Sequence, residues 1–208
     1  MKGAIKESQP QALTDWLSKA CPDWHPCYPF NDRNVKDSVI QALYKAQRGL
    51  CVYCGCKLNL SQQGKTFHIE HFKPQSTYPD LQVDYSNLYL SCGQEDTKGS
   101  RSQTCGTYKG NWFEEDKAID PIYPECTNRF QYTLNGEIKA LSSEDVAAST
   151  MITKLNLNYA ELVRERKELF LELDSKEELV EEDFWNNKEK TAEKYAHIAY
   201  YHFNKTLP

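Results

Sequence analysis

The sequence predicts a mixed α+β protein in which a small metal-stabilised centre of strands is flanked by helices. Three observations lead to this class: apolar residues at helical spacing towards both ends, short β-like stretches between them, and four ordered cysteines around one of those stretches. The chain has 208 residues, 39% of them hydrophobic, which is enough for one domain with a packed core.

Residues 1–49 are expected to form an N-terminal helical segment. After Pro10, three apolar residues recur at helical spacing: Leu13, Trp16 and Leu17. A second helix is predicted after Asn34, because four apolar residues share one face: Val39, Ile40, Leu43 and Tyr44. Gly49 suits the position just past its end.

Residues 50–115 are expected to form the core that carries the chemistry. Phe67 to His71 is typical of a short strand, and Tyr85 to Ser91 can pair with it. Residues 93–104 have no large apolar side chain and predict a solvated loop. Gly64-Lys65-Thr66 is not a phosphate-binding loop, because such a loop needs glycine where Asn59 stands.

Residues 116–208 are expected to form a hairpin and a helical region. Asn135-Gly136 predicts the hairpin turn. Helices are predicted from Ser143 and after Asn158, which has Glu161 in the capping position. A last helix over 181–203 would turn five residues inward: Trp185, Tyr195, Ala196, Ala199 and Phe203.

The charge of the chain argues against a broad basic surface for nucleic acid. The formal net charge is −5, and residues 161–190 hold 11 acidic and 6 basic side chains, which predicts a solvated helical face. Contact with nucleic acid is therefore expected to be local, or a partner supplies the charge. Without a long apolar run or a signal segment, we expect a cytoplasmic protein with no membrane contact.

Cys51-x-x-Cys54, with Cys92 and Cys105 downstream, predicts a structural zinc site. A two-residue gap lets one knuckle present two thiolates, and Gly55 follows it as such a turn requires. The alternative is that these are unpaired core thiols. Cys56 is expected just outside the site, whereas four further side chains show no arrangement typical of ligands: Cys21, Cys27, Cys126 and His25.

Between the cysteine pairs lies FHIEHFKPQS, which places His68, Glu70 and His71 within four residues. A single histidine on a strand is usually structural. Three such groups between the halves of a zinc site indicate a rigid scaffold that presents a catalytic pair. His197 and His202, five residues apart on a predicted helix, do not share a face and are not expected to be ligands.

CVYCG, HIEHFKP, YSNLYLSC and TCGTYKG together resemble an HNH endonuclease of the ββα-metal type with a zinc-knuckle frame. More narrowly, the chain resembles the PtuB-like HNH nucleases of Septu antiphage systems, including retron-associated members. The likeness extends to VIQALYKAQRGLCVYC upstream and ITKLNLNYAELVRERK downstream.

The resemblance implies roles for three residues of the core. His71 would be the general base that activates water, and Glu70 would hold a catalytic Mg²⁺ or Mn²⁺ ion. Asn87 would be the middle residue of the motif, a catalytic position that fixes the loop aiming His71. An ordinary strand-terminal asparagine is the alternative for Asn87.

At the third position of the motif the chain departs from the family pattern. The usual Asn or His after the last cysteine is replaced by Gly106, which has no side chain to ligate a metal. Either His68, Asp96, Asn111 or water completes the metal shell, or catalysis is weakened. Lys109 is expected to contact phosphate, with a solvated helical lysine as the alternative.

The resemblance also implies an activity and partners. It implies hydrolysis of nucleic acid, with DNA favoured and RNA (including tRNA) open, in antiphage defence with a PtuA-like ATPase. An assembly with a retron reverse transcriptase and its non-coding RNA is a further implied arrangement. The alternative from another class is a non-catalytic, zinc-stabilised adaptor of the ATPase. Gly106 and the absence of a broad basic surface favour this alternative, whereas Glu70 and His71 argue against it.

Overall fold

The computed structural model describes residues 1–93, 103–122 and 126–208. Its first half contains α1 (Gln11–Leu17), α2 (Arg33–Ala46), β1 (Phe67–His71), β2 (Leu88–Cys92) and α3 (Cys105–Lys109). The next elements are β3 (Phe130–Tyr132), β4 (Ile138–Ala140), α4 (Val146–Lys154) and α5 (Ala160–Leu173). The C-terminal elements are α6 (Glu181–Phe184), β5 (Trp185–Asn186), β6 (Thr191–Ala192) and α7 (Ala196–His202). The mixed α+β class, with small antiparallel sheets, is confirmed.

The two central strands pair antiparallel, as predicted. Phe67 lies opposite Cys92 and His71 lies opposite Leu88. The second strand begins later than predicted, because residues 85–87 form a 3-10 turn that Asp84 caps. Helix α3 packs against β2, so the chain builds a unit of two strands and one short helix. Most of the predicted loop 93–104, including Asp96, lies outside the described residues.

Helix α2 is joined to this unit by a buried amide side chain. The helix begins after Asp32, slightly earlier than predicted, because the Asp32 carboxylate accepts two backbone N–H groups of the first turn. At its other end Gln47 is fully buried. Its side chain accepts from the Leu90 N–H (2.7 Å) and donates to the Leu90 and Leu50 carbonyls (2.8 Å each). Gln47 therefore satisfies backbone groups of β2 that β1 leaves free.

The predicted hairpin forms, but Asn158 is not the cap of α5 as predicted. The Gly136 N–H donates to the Thr133 carbonyl in the turn between β3 and β4. Helix α5 begins after Tyr159, which makes no side-chain cap. Asn158 instead accepts from the Ile138 N–H (2.9 Å) and donates to its carbonyl (3.0 Å). The amide of Asn158 thus anchors the hairpin and is no longer available as a cap.

The single helix predicted over 181–203 is also wrong. Asn186 and Asn187, which favour helices poorly, lie where the chain leaves α6 for the β5–β6 pair. Tyr195 then adopts a left-handed φ of 60°, and its N–H donates to the Gly55 carbonyl at 2.9 Å. The predicted inward side chains are still buried, except for the partly buried Phe203. Tertiary hydrogen bonds therefore outweigh the helical periodicity in this stretch.

The hydrophobic core draws on all parts of the chain, with Leu13, Leu90 and Phe170 among its buried members. The acidic side chains of residues 161–190 are exposed, except for the half-buried Glu165, so the predicted solvated face is confirmed. The division of the chain at residues 49 and 115 stays a prediction. Within the described ranges, no helix has both the length and the apolar character to cross a membrane.

Candidate active site and metal centre

The four predicted cysteines come together from three separate elements. Cys51 and Cys54 lie in the knuckle after α2, Cys92 ends β2, and Cys105 begins α3. Their sulfur atoms all lie within 4.8 Å of one another, and the cluster is largely buried. The prediction that these thiols form one group is confirmed.

The donor set fits a tetrahedral metal ion. Zinc–sulfur bonds of ~2.3 Å place the sulfurs of a tetrahedron about 3.8 Å apart, and the Cys54 and Cys92 sulfurs are 3.6 Å apart. Two backbone N–H groups donate to sulfur atoms of the cluster. The Cys92 N–H donates to the Cys51 sulfur (3.3 Å), and the Cys56 N–H donates to the Cys54 sulfur (3.4 Å). Such donors favour thiolates over thiols. The cluster could therefore hold a structural metal ion.

The knuckle packs tightly against the C-terminal segment. Gly55 has a φ of 80°, and a Cβ atom built on it would lie 2.4 Å from the ring of His197. Only glycine allows this approach. Cys56 lies just outside the cluster, as predicted, with its sulfur 3.3 Å from the Tyr195 hydroxyl.

Strand β1 brings His68, Glu70 and His71 to one cavity of about 150 Å³. Gly106 of α3 and Asn111, two residues past the end of this helix, also line the cavity, so the strand and the helix both contribute to it. The predicted cluster of imidazole and carboxylate groups is thus placed beside a helix and next to the thiol cluster. These are groups that could bind a cation and move a proton at one place.

The two carboxylate oxygens of Glu70 have different surroundings. Oε1 accepts from the Lys109 ammonium (2.7 Å) and from the Tyr53 hydroxyl (3.1 Å), whereas Oε2 lies 3.4 Å from Nε2 of His68. Burial alone would raise the pKa of Glu70, but Lys109 and His68 lower it to about 2. Glu70 is therefore a buried carboxylate anion whose Oε2 faces the cavity.

Lys109 does not have the surroundings expected of a phosphate contact. Its side chain is 2% exposed, and besides Glu70 its ammonium donates to the His71 carbonyl at 3.1 Å. The prediction of a phosphate contact is therefore not supported: the Lys109 charge is compensated inside the protein. Neither this pair nor the contact of Tyr53 was predicted from the sequence, although a tyrosine between two clustered cysteines offers a hydroxyl at that place.

His71 is held in one orientation and one tautomer. Its Nε2 lies 2.9 Å from the Gln82 carbonyl, which can only accept, so Nε2 carries the proton and Nδ1 has the lone pair. The ring of Tyr28 packs edge-on against the imidazole at 4.6 Å. Burial lowers the pKa of His71, which favours the neutral, proton-accepting form.

Asn87 ties together the loop that carries Gln82. Its Oδ1 accepts from the Lys73 N–H at 2.7 Å. Its Nδ2 donates to the carbonyls of Lys73 (2.9 Å) and Leu81 (3.2 Å). Because Gln82 follows Leu81 and bonds His71, these contacts link Asn87 to the orientation of the imidazole.

The comparisons with known proteins agree with the family resemblance that the motifs indicate. No protein-family model matches the chain. It is 34% identical over 142 residues to the "Retron Vc95 putative HNH endonuclease" of Vibrio cholerae serotype O1 biovar El Tor, a match covering 65% of this chain and 64% of that protein. It is 31% identical over 127 residues to the "Septu protein PtuB" of Bacillus thuringiensis, covering 59% of this chain and 42% of that protein. The chain thus spans less than two thirds of either relative.

Proposed function

We propose that this chain, a homologue of HNH proteins from retron and Septu systems, is a metal-dependent endonuclease that hydrolyses phosphodiester bonds. The observation that carries the proposal is the placement of Glu70 and His71 in one cavity between β1 and α3. A base and an ion-binding carboxylate on a strand pair, closed by a helix, are the parts that a ββα-metal nuclease core needs. The adjacent thiol cluster would keep that core rigid.

His71 would act as the general base. With its Nε2–H directed at the Gln82 carbonyl, Nδ1 can accept a proton from a water molecule. The water oxygen forms a bond to phosphorus while the bond from phosphorus to the leaving oxygen breaks. The leaving oxygen then takes up a proton from solvent, which completes the hydrolysis.

Glu70 would hold the catalytic Mg²⁺ or Mn²⁺ ion through Oε2, since Oε1 is bonded to Lys109 and Tyr53. When bound, the ion would neutralise charge that develops on the scissile phosphate and the leaving oxygen. A structural zinc ion would be held by four thiolates: Cys51, Cys54, Cys92 and Cys105.

Three further residues would position these groups without touching the reacting atoms. Asn87 would keep the loop of Gln82 in place and so orient the His71 ring. Lys109 and Tyr53 would fix the Glu70 carboxylate by binding one of its oxygens. Lys109 also bonds the His71 carbonyl and therefore couples the base to the carboxylate.

We place this activity in antiphage defence, together with a PtuA-like ATPase. The proposed substrate is DNA, and RNA, including tRNA, is the alternative, because attack by activated water needs no 2′-hydroxyl. The net charge of −5 supports a partner that supplies the main grip on nucleic acid. An assembly with a retron reverse transcriptase and its RNA is consistent with one relative's name.

Cleavage of plasmid DNA and total RNA by the co-expressed pair of this chain and its ATPase, with Mg²⁺ and ATP, tests the proposal. His71→Ala should lower cleavage by at least about 100-fold. His25→Ala, which replaces an exposed histidine outside the site, should leave it unchanged. Equal cleavage by all three proteins would overturn the assignment of His71. If none of them cleaves while the ATPase remains bound, the adaptor function is favoured instead.

A further inference from the structure

Gly106 allows α3 to approach two polar side chains of β1 more closely than any other residue would. A Cβ atom built at this position would lie 2.3 Å from Oε2 of Glu70 and 3.0 Å from Nε2 of His68. Contacts this short are not tolerated, so a side chain here would displace one or both groups. The glycine therefore opens space that the carboxylate and the imidazole share.

His68 directs one nitrogen into this space. Its Nδ1 donates to the Gly93 carbonyl (3.3 Å), which can only accept, so Nε2 is the nitrogen that faces Oε2 of Glu70, at 3.4 Å. Either a proton on Nε2 or a metal cation between the two groups can join them, and a metal ion would take the place of that proton. Backbone support of the far nitrogen is typical of metal-binding histidines.

We propose that Nε2 of His68 is the second protein ligand of the divalent ion that Glu70 holds. This inference rests on the proposed function and names the group that completes the metal site in the absence of a side chain at position 106. Because an imidazole nitrogen is a softer ligand than oxygen, the site would prefer transition-metal ions such as Mn²⁺ or Ni²⁺ over Mg²⁺.

The other polar groups of the cavity fit this role less well. His71 directs its Nε2–H at the Gln82 carbonyl, and its use as a base requires a free Nδ1. Asn111 also lines the cavity, but its amide would bind a cation through oxygen and not through an aromatic nitrogen. The two kinds of ligand can therefore be distinguished by spectroscopy.

Pulsed electron paramagnetic resonance of bound Mn²⁺ tests the inference, because a coordinated imidazole nitrogen modulates the electron spin echo. The zinc-loaded protein is titrated with Mn²⁺ alone, and zinc content and circular dichroism are measured for every variant. We expect imidazole modulation in the wild type and in His71→Ala. We expect the imidazole modulation to be lost in His68→Ala. The Mn²⁺ affinity should fall by at least about tenfold, because loss of a residue that only hydrogen-bonds to a metal ligand already lowers metal affinity by about that factor.

The wild-type spectrum decides the question even if His68→Ala fails to fold. Mn²⁺ that binds without imidazole modulation, or modulation that persists in a folded His68→Ala protein, would overturn the role of His68. Glu70→Gln separates this failure from failure of the proposed function. If Glu70→Gln leaves Mn²⁺ binding unchanged, the ion does not occupy the proposed site, and both proposals fall.

Discussion

Replacing Lys109 with methionine removes the ammonium group that lies 2.7 Å from Oε1 of Glu70 and keeps an unbranched side chain. Both side chains are buried, with exposed fractions of 2% for Lys109 and 7% for Glu70. The carboxylate would then remain in the interior with Tyr53 and His68 as its partners. We expect a large loss of stability, because a buried charge loses its main counter-charge.

The size of this loss follows from the pKa of Glu70. A decrease from an ordinary value of about 4.3 to about 2 corresponds to roughly 3 kcal/mol of stability. The sign is that of a lowered carboxyl pKa: this stability is present above about pH 4.3 and is lost as the pH falls towards 2. Breaking a buried ion pair costs about 3–5 kcal/mol. Since Tyr53 and His68 remain, we expect Lys109→Met to lower the free energy of unfolding by about 2–3 kcal/mol.

Urea unfolding at pH 7 in zinc-containing buffer, followed by fluorescence, measures this free energy. Lys57→Met is the matched control, because its ammonium pairs with Glu193 on the surface at 2.5 Å and its loss should cost less than about 1 kcal/mol. Lys109→Met combined with Glu70→Gln should recover much of the stability, since the uncompensated charge is gone. A Lys109→Met protein as stable as the Lys57→Met control would refute the reasoning.

Four further predictions concern the scaffold. Asn87→Ala leaves three backbone groups unpaired and should cost about 2–4 kcal/mol in urea unfolding, together with most of the cleavage; unchanged stability would contradict its role in the loop. Gly55→Ala should lower the zinc content per chain more than Gly110→Ala. Both glycines have a positive φ, but only at Gly55 would the added methyl group collide with His197, whereas the space around Gly110 is open. Equal zinc contents in the two variants would show that backbone strain alone matters. Burial lowers the pKa of His197 well below its ordinary value, so stability should be full above about pH 6.5 and fall below it by up to about 1.4 kcal/mol per pH unit. Urea midpoints from pH 5.5 to 7.5 check this, and a His197→Gln variant with the same pH dependence would argue against it. Chelation of zinc should unfold the protein, whereas withdrawal of Mg²⁺ should only stop cleavage; unfolding on loss of Mg²⁺ would mean that the two roles are not separate.

The sequence predicted well those features that depend on local pattern. Strand Phe67–His71 has the predicted bounds, and the Asn135-Gly136 turn lies in the hairpin where it was expected. Helices near the N-terminus differ from their predicted bounds by only a few residues. In each case, the local pattern of apolar residues or turn residues indicates the element, although the strand finds its partner about 20 residues later in the chain.

Predictions failed where a side chain or a backbone group finds its partner far away in the chain. Asn158 bonds the backbone of Ile138 instead of capping α5. Lys109 pairs with Glu70, 39 positions earlier, a contact that the sequence did not predict. The helix over 181–203 is interrupted where Tyr195 bonds Gly55. The spacing of residues along the sequence does not indicate these distant partners.

The sequence by itself therefore determined the α+β class, the central strand and the identity of the four cysteines that cluster. It also identified His68, Glu70 and His71 as the groups to consider together. Only the tertiary structure decided which oxygen of Glu70 faces the cavity, which nitrogen of His71 is free, which nitrogen of His68 faces Glu70, and that Gly106 makes room for both groups. The physical reason is that hydrogen-bond geometry and burial, which set charge and protonation, arise only when distant segments are packed together.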